Sequence, residues 1–200
     1  MTVSLLRNYS RESKMLLTPR FELALQYAII IHAGQMRKGS EIPYIAHLMA
    51  VASIVLEHGG DEDEVIAALL HDAVEDAGGR KRYNDIRVRF GERVASIVSE
   101  CTQKDKTAYV QGIPDLSPSA RLVSSADKLH NSRSILHDYR EVGEQVWDRF
   151  NHRKEAILWY YRALTNAYLR INDARCTPIV SEIHRVVTEI EALTTHTGSR

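Results

Sequence analysis

The run Val65-Ile66-Ala67-Ala68-Leu69-Leu70 is apolar on every side, and no other stretch constrains the fold as strongly. A helix on the surface keeps one polar face; a helix without one has to be wrapped by other elements. Gly59-Gly60 ends whatever precedes this run, and Asp61 with Glu64 three residues on has the spacing of a capping box. The run therefore reads as a central buried helix. Around it the sequence offers helical partners. Thr18-Pro19 reads as an N-cap and a first-turn proline, opening a helix that frays at Gly34. Pro43 stands where the first turn of a second helix, running to His58, tolerates it. Beyond Gly78-Gly79, short helices are predicted over 81–88 and 91–101, followed by longer ones over 120–136, 143–171 and 177–193, with apolar residues at spacings of three and four. Residues 102–118 lack a helical period and read as a long loop, of the length that in compact domains is usually functional or mobile. No segment alternates in the manner of a strand, and no repeat or low-complexity tract interrupts the chain. The expectation is an all-α helical bundle: one domain over residues 18–195, preceded by an N-terminal extension of residues 1–17.

Composition removes several classes of function. The 26 basic and 26 acidic side chains cancel, leaving no excess charge for nucleic acid or anionic lipid. No apolar run approaches the roughly 18 residues that span a bilayer. At 44% hydrophobic with 10 Gly and 5 Pro, the 200 residues suit a single compact core rather than a disordered or linker-rich chain. Cys101 and Cys176 lie far apart, and Arg7, Arg11 and Lys14 interrupt the one N-terminal stretch that could mimic a secretory signal, which predicts a reduced, cytoplasmic protein. Ile179, Ile183, Val186, Val187 and Ile190 make an apolar stripe on the last helix that suits either the core or a second copy in a homo-oligomer.

The central helix leaves its apolar stretch directly into His71-Asp72-Ala73-Val74-Glu75-Asp76. At about 100° per residue, His71, Asp72, Glu75 and Asp76 fall within an arc of about 140° as two i, i+4 pairs. Carboxylates gathered at the end of a buried helix are costly unless a positive charge neutralises them, and a metal ion is the simplest such charge. Its ordinary alternative is a solvated helix end. His47 lies among apolar neighbours in the preceding helix, and Asp127 lies in a later one with Asn131 a turn further on. Taken singly, His47 reads as a hydrogen-bonded core residue and Asp127 as a capping or surface acid. Taken together, two His and two Asp from three helices make a mixed nitrogen and oxygen site for a borderline ion such as Mn²⁺, Fe²⁺ or Zn²⁺. Neither cysteine has a partner at ligand spacing, so a thiolate zinc site is excluded. His130 points about 60° to the far side of Asp127 and is expected to pack rather than ligate, whereas His32 could line the pocket.

The order His47, His71-Asp72, Asp127 resembles the signature of the HD superfamily of metal-dependent phosphohydrolases. More narrowly, the chain resembles the hydrolase domain of RelA/SpoT-type alarmone enzymes in its stand-alone form, the small alarmone hydrolases. The resemblance covers roughly residues 20–170. It rests on His32-Ala33-Gly34-Gln35-Met36-Arg37-Lys38, Pro43-Tyr44-Ile45-Ala46-His47, Ala67-Ala68-Leu69-Leu70-His71-Asp72-Ala73-Val74-Glu75-Asp76, Phe90-Gly91 and Ala126-Asp127-Lys128-Leu129-His130-Asn131-Ser132-Arg133. It implies removal of the 3′-pyrophosphate from guanosine tetra- or pentaphosphate or an adenosine equivalent, with one divalent ion, usually Mn²⁺. On that resemblance His47, His71, Asp72 and Asp127 are the metal ligands, and Glu75 and Asp76 the acidic pair that positions and activates water. Arg37 matches a side chain that stacks on the base, Lys38 its phosphate-facing neighbour, Asn131 a nucleotide contact and Tyr160, more loosely, an aromatic in the later helix. Ser124-Ser125 departs from the bulkier or basic residues of relatives, and the stretch 104–119, where Lys104 and Lys106 offer phosphate contacts, is shorter than theirs.

Three alternatives stand beside this reading. Another HD-type phosphohydrolase, acting on nucleoside monophosphates, shares the four ligands but not the Asp76 and Arg37-Lys38 pattern. A cyclic-dinucleotide phosphodiesterase would carry a Gly-Tyr-Pro motif that this chain lacks. A non-catalytic nucleotide-binding scaffold would have lost a ligand or the acidic pair, and both are intact.

Overall fold

The computed structural model describes residues 17–102 and 105–196. The expected extension therefore lies almost wholly outside the described residues, as does Lys104. The order is α1 (Pro19–Ile31), α2 (Ile45–Glu57), α3 (Glu62–Leu70), α4 (Ala73–Asp76), α5 (Gly79–Phe90), α6 (Glu92–Cys101), α7 (Lys106–Gly112), α8 (Pro118–Val142), α9 (Lys154–Ile171) and α10 (Thr177–His196). Two 3₁₀ stretches, Ile113–Asp115 and Gly143–Arg149, flank α8. Among the described residues β structure is limited to one antiparallel bridge, Met36 to Pro43. The fold is all-α.

The wrapped helix is α3. Every residue from Glu64 to Leu70 is buried, with α1, α2, α6 and α8 packed around it. The capping box is complete: Asp61 accepts from the Glu64 N–H, and Glu64 accepts from the Asp61 N–H. Glu64 does more than cap. At 1% exposure it also accepts from Ser119 Oγ at the start of α8 and from both terminal nitrogens of Arg175 before α10. A buried carboxylate is tolerable only when its lone pairs are this fully used. Burial works against its charge, yet Arg175, Ser119 and the Asp61 amide outweigh burial and hold its pKa below the ordinary value.

Four expectations needed correction. The predicted loop 102–118 contains α7: Asp105 caps it by accepting from the Ala108 N–H at 2.8 Å, and Tyr109 and Ile113, one turn apart, are buried. Within the seven residues of α7 the apolar side chains are consecutive, Ala108-Tyr109-Val110, and show no period. Helix α8 starts at Pro118, with Ser117 as its N-cap. The predicted helix 143–171 is broken, because Gly143 takes a left-handed φ of +61° and the chain runs through the 3₁₀ stretch before α9 begins. Pro43 precedes α2 rather than opening it, pairing with Met36 to close the loop that carries Arg37 and Lys38. The stripe Ile179, Ile183, Val186, Val187 and Ile190 is buried within the chain, where α10 packs on α8 and α9.

Candidate active site

Helix α3 does not run straight through into Asp76, as the spacing predicts. Its last residue is Leu70, and the chain turns through His71 and Asp72 before α4. His71 Nδ1 lies 2.8 Å from the Ala68 carbonyl, taking the acceptor that a regular helix would offer to the Asp72 N–H. Consecutive residues of a regular helix diverge by about 100°, and the looser turn removes that divergence. His71 Nε2 and Asp72 Oδ2 consequently stand 3.0 Å apart. The bond to Ala68 fixes a proton on Nδ1 and leaves Nε2 as the ring atom that a cation would meet.

His47 enters from the first turn of α2 and Asp127 from the middle of α8. His47 Nε2 lies 3.3 Å from Asp127 Oδ1 and 3.6 Å from Asp72 Oδ2; His71 Nε2 is 3.6 Å from Asp127 Oδ1. One ligand atom each from His47, His71 and Asp127 fits within 4.8 Å of the others. Both His Nε2 atoms are buried, and among the described residues neither has a hydrogen-bond partner. Two buried ring nitrogens without hydrogen-bond partners, facing two carboxylates, have the chemistry that suits a divalent cation. The protons now on the site reflect the same attraction. Burial opposes charge on His71, but Asp72 and Asp127 outweigh it and raise its pKa well above the ordinary value. Burial likewise opposes charge on the acids; His71 and His47 hold Asp72 well below the carboxylate range, and Lys128 with the two His does so for Asp127.

A second layer of side chains, in which the sequence reading assigns Asn131 a different role and His130 only a packing one, orients these four. His47 Nδ1 lies 2.8 Å from His130 Nδ1. Burial, with the nearby His47 and Arg37, pushes His130 down to about 4, so its ring is neutral at pH 7 and can accept the His47 proton. The Tyr44 hydroxyl donates to Asp72 Oδ2 at 2.5 Å, Lys128 pairs with Asp127, and Asn131 Nδ2 donates to Asp127 Oδ1 at 2.5 Å. His130 and Asn131 lie three and four residues beyond Asp127 on α8, a spacing that brings side chains together; Tyr44 and Lys128 carry no such local signal.

From His47 a cavity of about 810 Å³ extends along α8 to Arg149, a volume suited to a nucleotide. Arg37, Lys38 and Asn131 line it. The Arg37 guanidinium donates to Asn131 Oδ1 at 2.8 Å and lies 5.9 Å from the Tyr44 ring centre. Lys38 Nζ donates to Asn151 at 2.8 Å. Tyr160 is not on the wall. It is buried in the core at 5% exposure with the Lys106 ammonium over its ring, whereas its neighbour Tyr161 lines the cavity together with Tyr44 and Phe150. Glu75 and Asp76 are exposed at the end of α4 and outside the cavity lining, although Asp76 accepts from Gln35 Nε2 at 2.9 Å.

Comparison with known proteins agrees with this architecture. A family model described as HD domain matches residues 24–121. Guanosine-3′,5′-bis(diphosphate) 3′-pyrophosphohydrolase MESH1 of Drosophila melanogaster is 31% identical over 176 residues, covering 83% of this chain and 93% of that protein. The Xenopus tropicalis MESH1 is 39% identical over 123 residues, 56% of this chain and 67% of that protein. A solved structure described as a metazoan ortholog of SpoT that hydrolyzes ppGpp superposes with a TM-score of 0.70 at 28% identity, covering 86% of this chain and 97% of that one. The match to the Drosophila protein runs nearly its full length, and the chain belongs to the HD-domain family of MESH1-type 3′-pyrophosphohydrolases.

Proposed function

We propose that this protein hydrolyses the 3′-pyrophosphate of guanosine 3′,5′-bis(diphosphate) or the corresponding pentaphosphate, consuming one water and releasing pyrophosphate with GDP or GTP. The observation that carries the reading is the pair of buried, partnerless Nε2 atoms of His47 and His71 facing Asp72 and Asp127, at one end of a nucleotide-sized cavity. Those four residues would hold one divalent ion, and two imidazoles with two carboxylates suit Mn²⁺. When bound, such an ion supplies Lewis acidity toward the phosphoryl group and a water of lowered pKa.

The remaining work falls to the chain's own residues. Glu75 and Asp76, one turn beyond Asp72, are the acids that orient the attacking water and accept its proton as the bond to the 3′ oxygen breaks. The Arg37 guanidinium, fixed by Asn131, offers a flat cationic face for the purine. Lys38 offers a point charge to the phosphates. Asn131 bonds both Arg37 and Asp127, so it sets the spacing between the base-binding face and the reacting centre. The reading places the enzyme in the cytoplasm, where the two buried, free cysteines remain reduced. No helix among the described residues is long and apolar enough to cross a membrane.

The test is to incubate the Mn²⁺-loaded protein with guanosine and adenosine nucleotides carrying a 3′-pyrophosphate, and with simple nucleoside monophosphates, and to identify the products. Pyrophosphate from the 3′-substituted guanosine nucleotides supports the proposal. Release of inorganic monophosphate alone supports a different phosphohydrolase of the same family.

A further inference from the structure

The motif His32-Ala33-Gly34-Gln35 ends α1, and neither the metal cluster nor the nucleotide cavity uses its two polar side chains. Gly34 takes a φ of +76°, which an L side chain adopts only with strain, and the chain reverses there. Gln35 is then held from both sides through its backbone: its N–H donates to the His32 carbonyl at 3.0 Å, and its carbonyl accepts from the Tyr44 N–H at 2.9 Å. Its side chain spans the gap to α4. Gln35 Oε1 lies 2.6 Å from His32 Nδ1, and Gln35 Nε2 lies 2.9 Å from Asp76 Oδ2.

The chemistry of these two contacts is directional. An amide oxygen has no proton to give, so His32 Nδ1 must carry the proton between them. His32 itself cannot turn, being 5% exposed and stacked on Tyr44 with ring centres 5.2 Å apart. Its Nε2 is buried and among the described residues has no hydrogen-bond partner, which costs less for a bare ring nitrogen than for an N–H. With Oε1 committed to His32, the amide can only present its NH₂ to Asp76. The reverse amide orientation would set oxygen against a carboxylate. Asp76 stands at the exposed end of a four-residue helix, where its rotamer would otherwise be set by solvent.

We propose that Gln35, oriented by His32, is a positioning residue that holds the Asp76 carboxylate by one oxygen and leaves the other for the reacting water. The inference rests on the reading of Asp76 as proton acceptor, and the experiment separates the two. Gln35→Glu and Gln35→Met conserve length; the first replaces the donor by a like charge and the second removes it. His32→Phe keeps a ring on Tyr44 and removes the Nδ1 proton. Steady-state turnover of guanosine 3′,5′-bis(diphosphate), Mn²⁺ affinity and GDP affinity are measured for each, with a melting curve to establish folding. Both Gln35 variants should lose kcat by about 100-fold or more, the scale of a misdirected general base, while KM, GDP affinity and Mn²⁺ affinity stay within about twofold. His32→Phe should lose kcat in the same direction and to a smaller extent. A side chain that serves only to pack the loop would tolerate the isosteric Glu, or would raise KM through Arg37 and Lys38; either result overturns the proposal. Asp76→Asn is the control. If it turns over normally, the reading of Asp76 is wrong; if it is inactive while Gln35→Glu is not, the positioning role is wrong.

Discussion

Replacing His130 with Phe removes the hydrogen-bond partner of His47 Nδ1 and little else. The Phe ring preserves the aromatic contact, in which the two rings stand 4.8 Å apart. The lost bond is 2.8 Å long, and the Phe ring fills the place of the imidazole without offering an acceptor. In the wild type the neutral His130, its pKa pushed down to about 4, accepts from Nδ1 and leaves Nε2 of His47 as a lone pair. Without that acceptor the His47 proton can move to Nε2, the atom a metal needs. Loss of such an orienting partner costs about 10- to 100-fold in metal affinity, or about 1.4–2.7 kcal/mol. Calorimetric titration of chelator-treated protein with Mn²⁺ reads this directly, and kcat should recover at saturating Mn²⁺ because the substrate residues are untouched. An H130F protein that folds and binds Mn²⁺ as tightly as the wild type would refute the tautomer argument.

Metal binding should also release protons. Asp72 and Asp127 raise the His71 pKa well above its ordinary value against burial, so the metal-free ring holds its Nε2 proton more tightly than a free imidazole, and a cation has to displace that proton. Mn²⁺ affinity should therefore rise with pH, and its binding enthalpy should depend on the ionisation enthalpy of the buffer; no dependence would contradict the ligand assignment. Glu64→Ala should cost about 2–4 kcal/mol in denaturant melts, limited by the 39% exposure that lets Arg175 return to water. Because the folded-state pKa of Glu64 lies below its ordinary 4.5, its contribution is complete above about that pH and is lost as pH falls through the folded value; a wild-type-to-mutant difference that grows on acidification would be wrong in sign. Gly39→Ala should destabilise by about 1–3 kcal/mol and raise KM, since φ is +73° and a Cβ would meet Arg149 Cβ at 2.7 Å on the loop that carries Arg37 and Lys38. Unchanged melting and KM would show that this loop contact is irrelevant.

What was legible in the sequence was local. The apolar run of α3, its capping box and the left-handed glycines at helix ends are decided within a few residues, and pattern reading finds them. The break at His71-Asp72 leaves no sequence pattern, because it depends on a side chain, His71, taking a backbone acceptor from its own helix. Helix α7 is too short to show a period, with Tyr109 buried and Val110 partly so, and the split before α9 is hidden because Gly143 ends α8 where a glycine could equally open a helix. In the site, residue types and order were readable from His47 to Asp127, whereas Tyr44, Lys128 and the choice of Tyr161 over Tyr160 depend on how α2, α8 and α9 are turned toward one another. Such contacts are tertiary and leave no period in one chain.

The central claim is that His47, His71, Asp72 and Asp127 hold a divalent ion on which removal of a 3′-pyrophosphate depends. It is tested most directly by following pyrophosphate release from guanosine 3′,5′-bis(diphosphate) with chelator-treated protein before and after addition of Mn²⁺, in the wild type and in Asp127→Asn. The account predicts no release without metal, full release once Mn²⁺ is added to the wild type, and a loss of about 100-fold or more in the variant at the same Mn²⁺ concentration. Equal rates in chelator and in Mn²⁺, or an Asp127→Asn protein as active as the wild type, would contradict it.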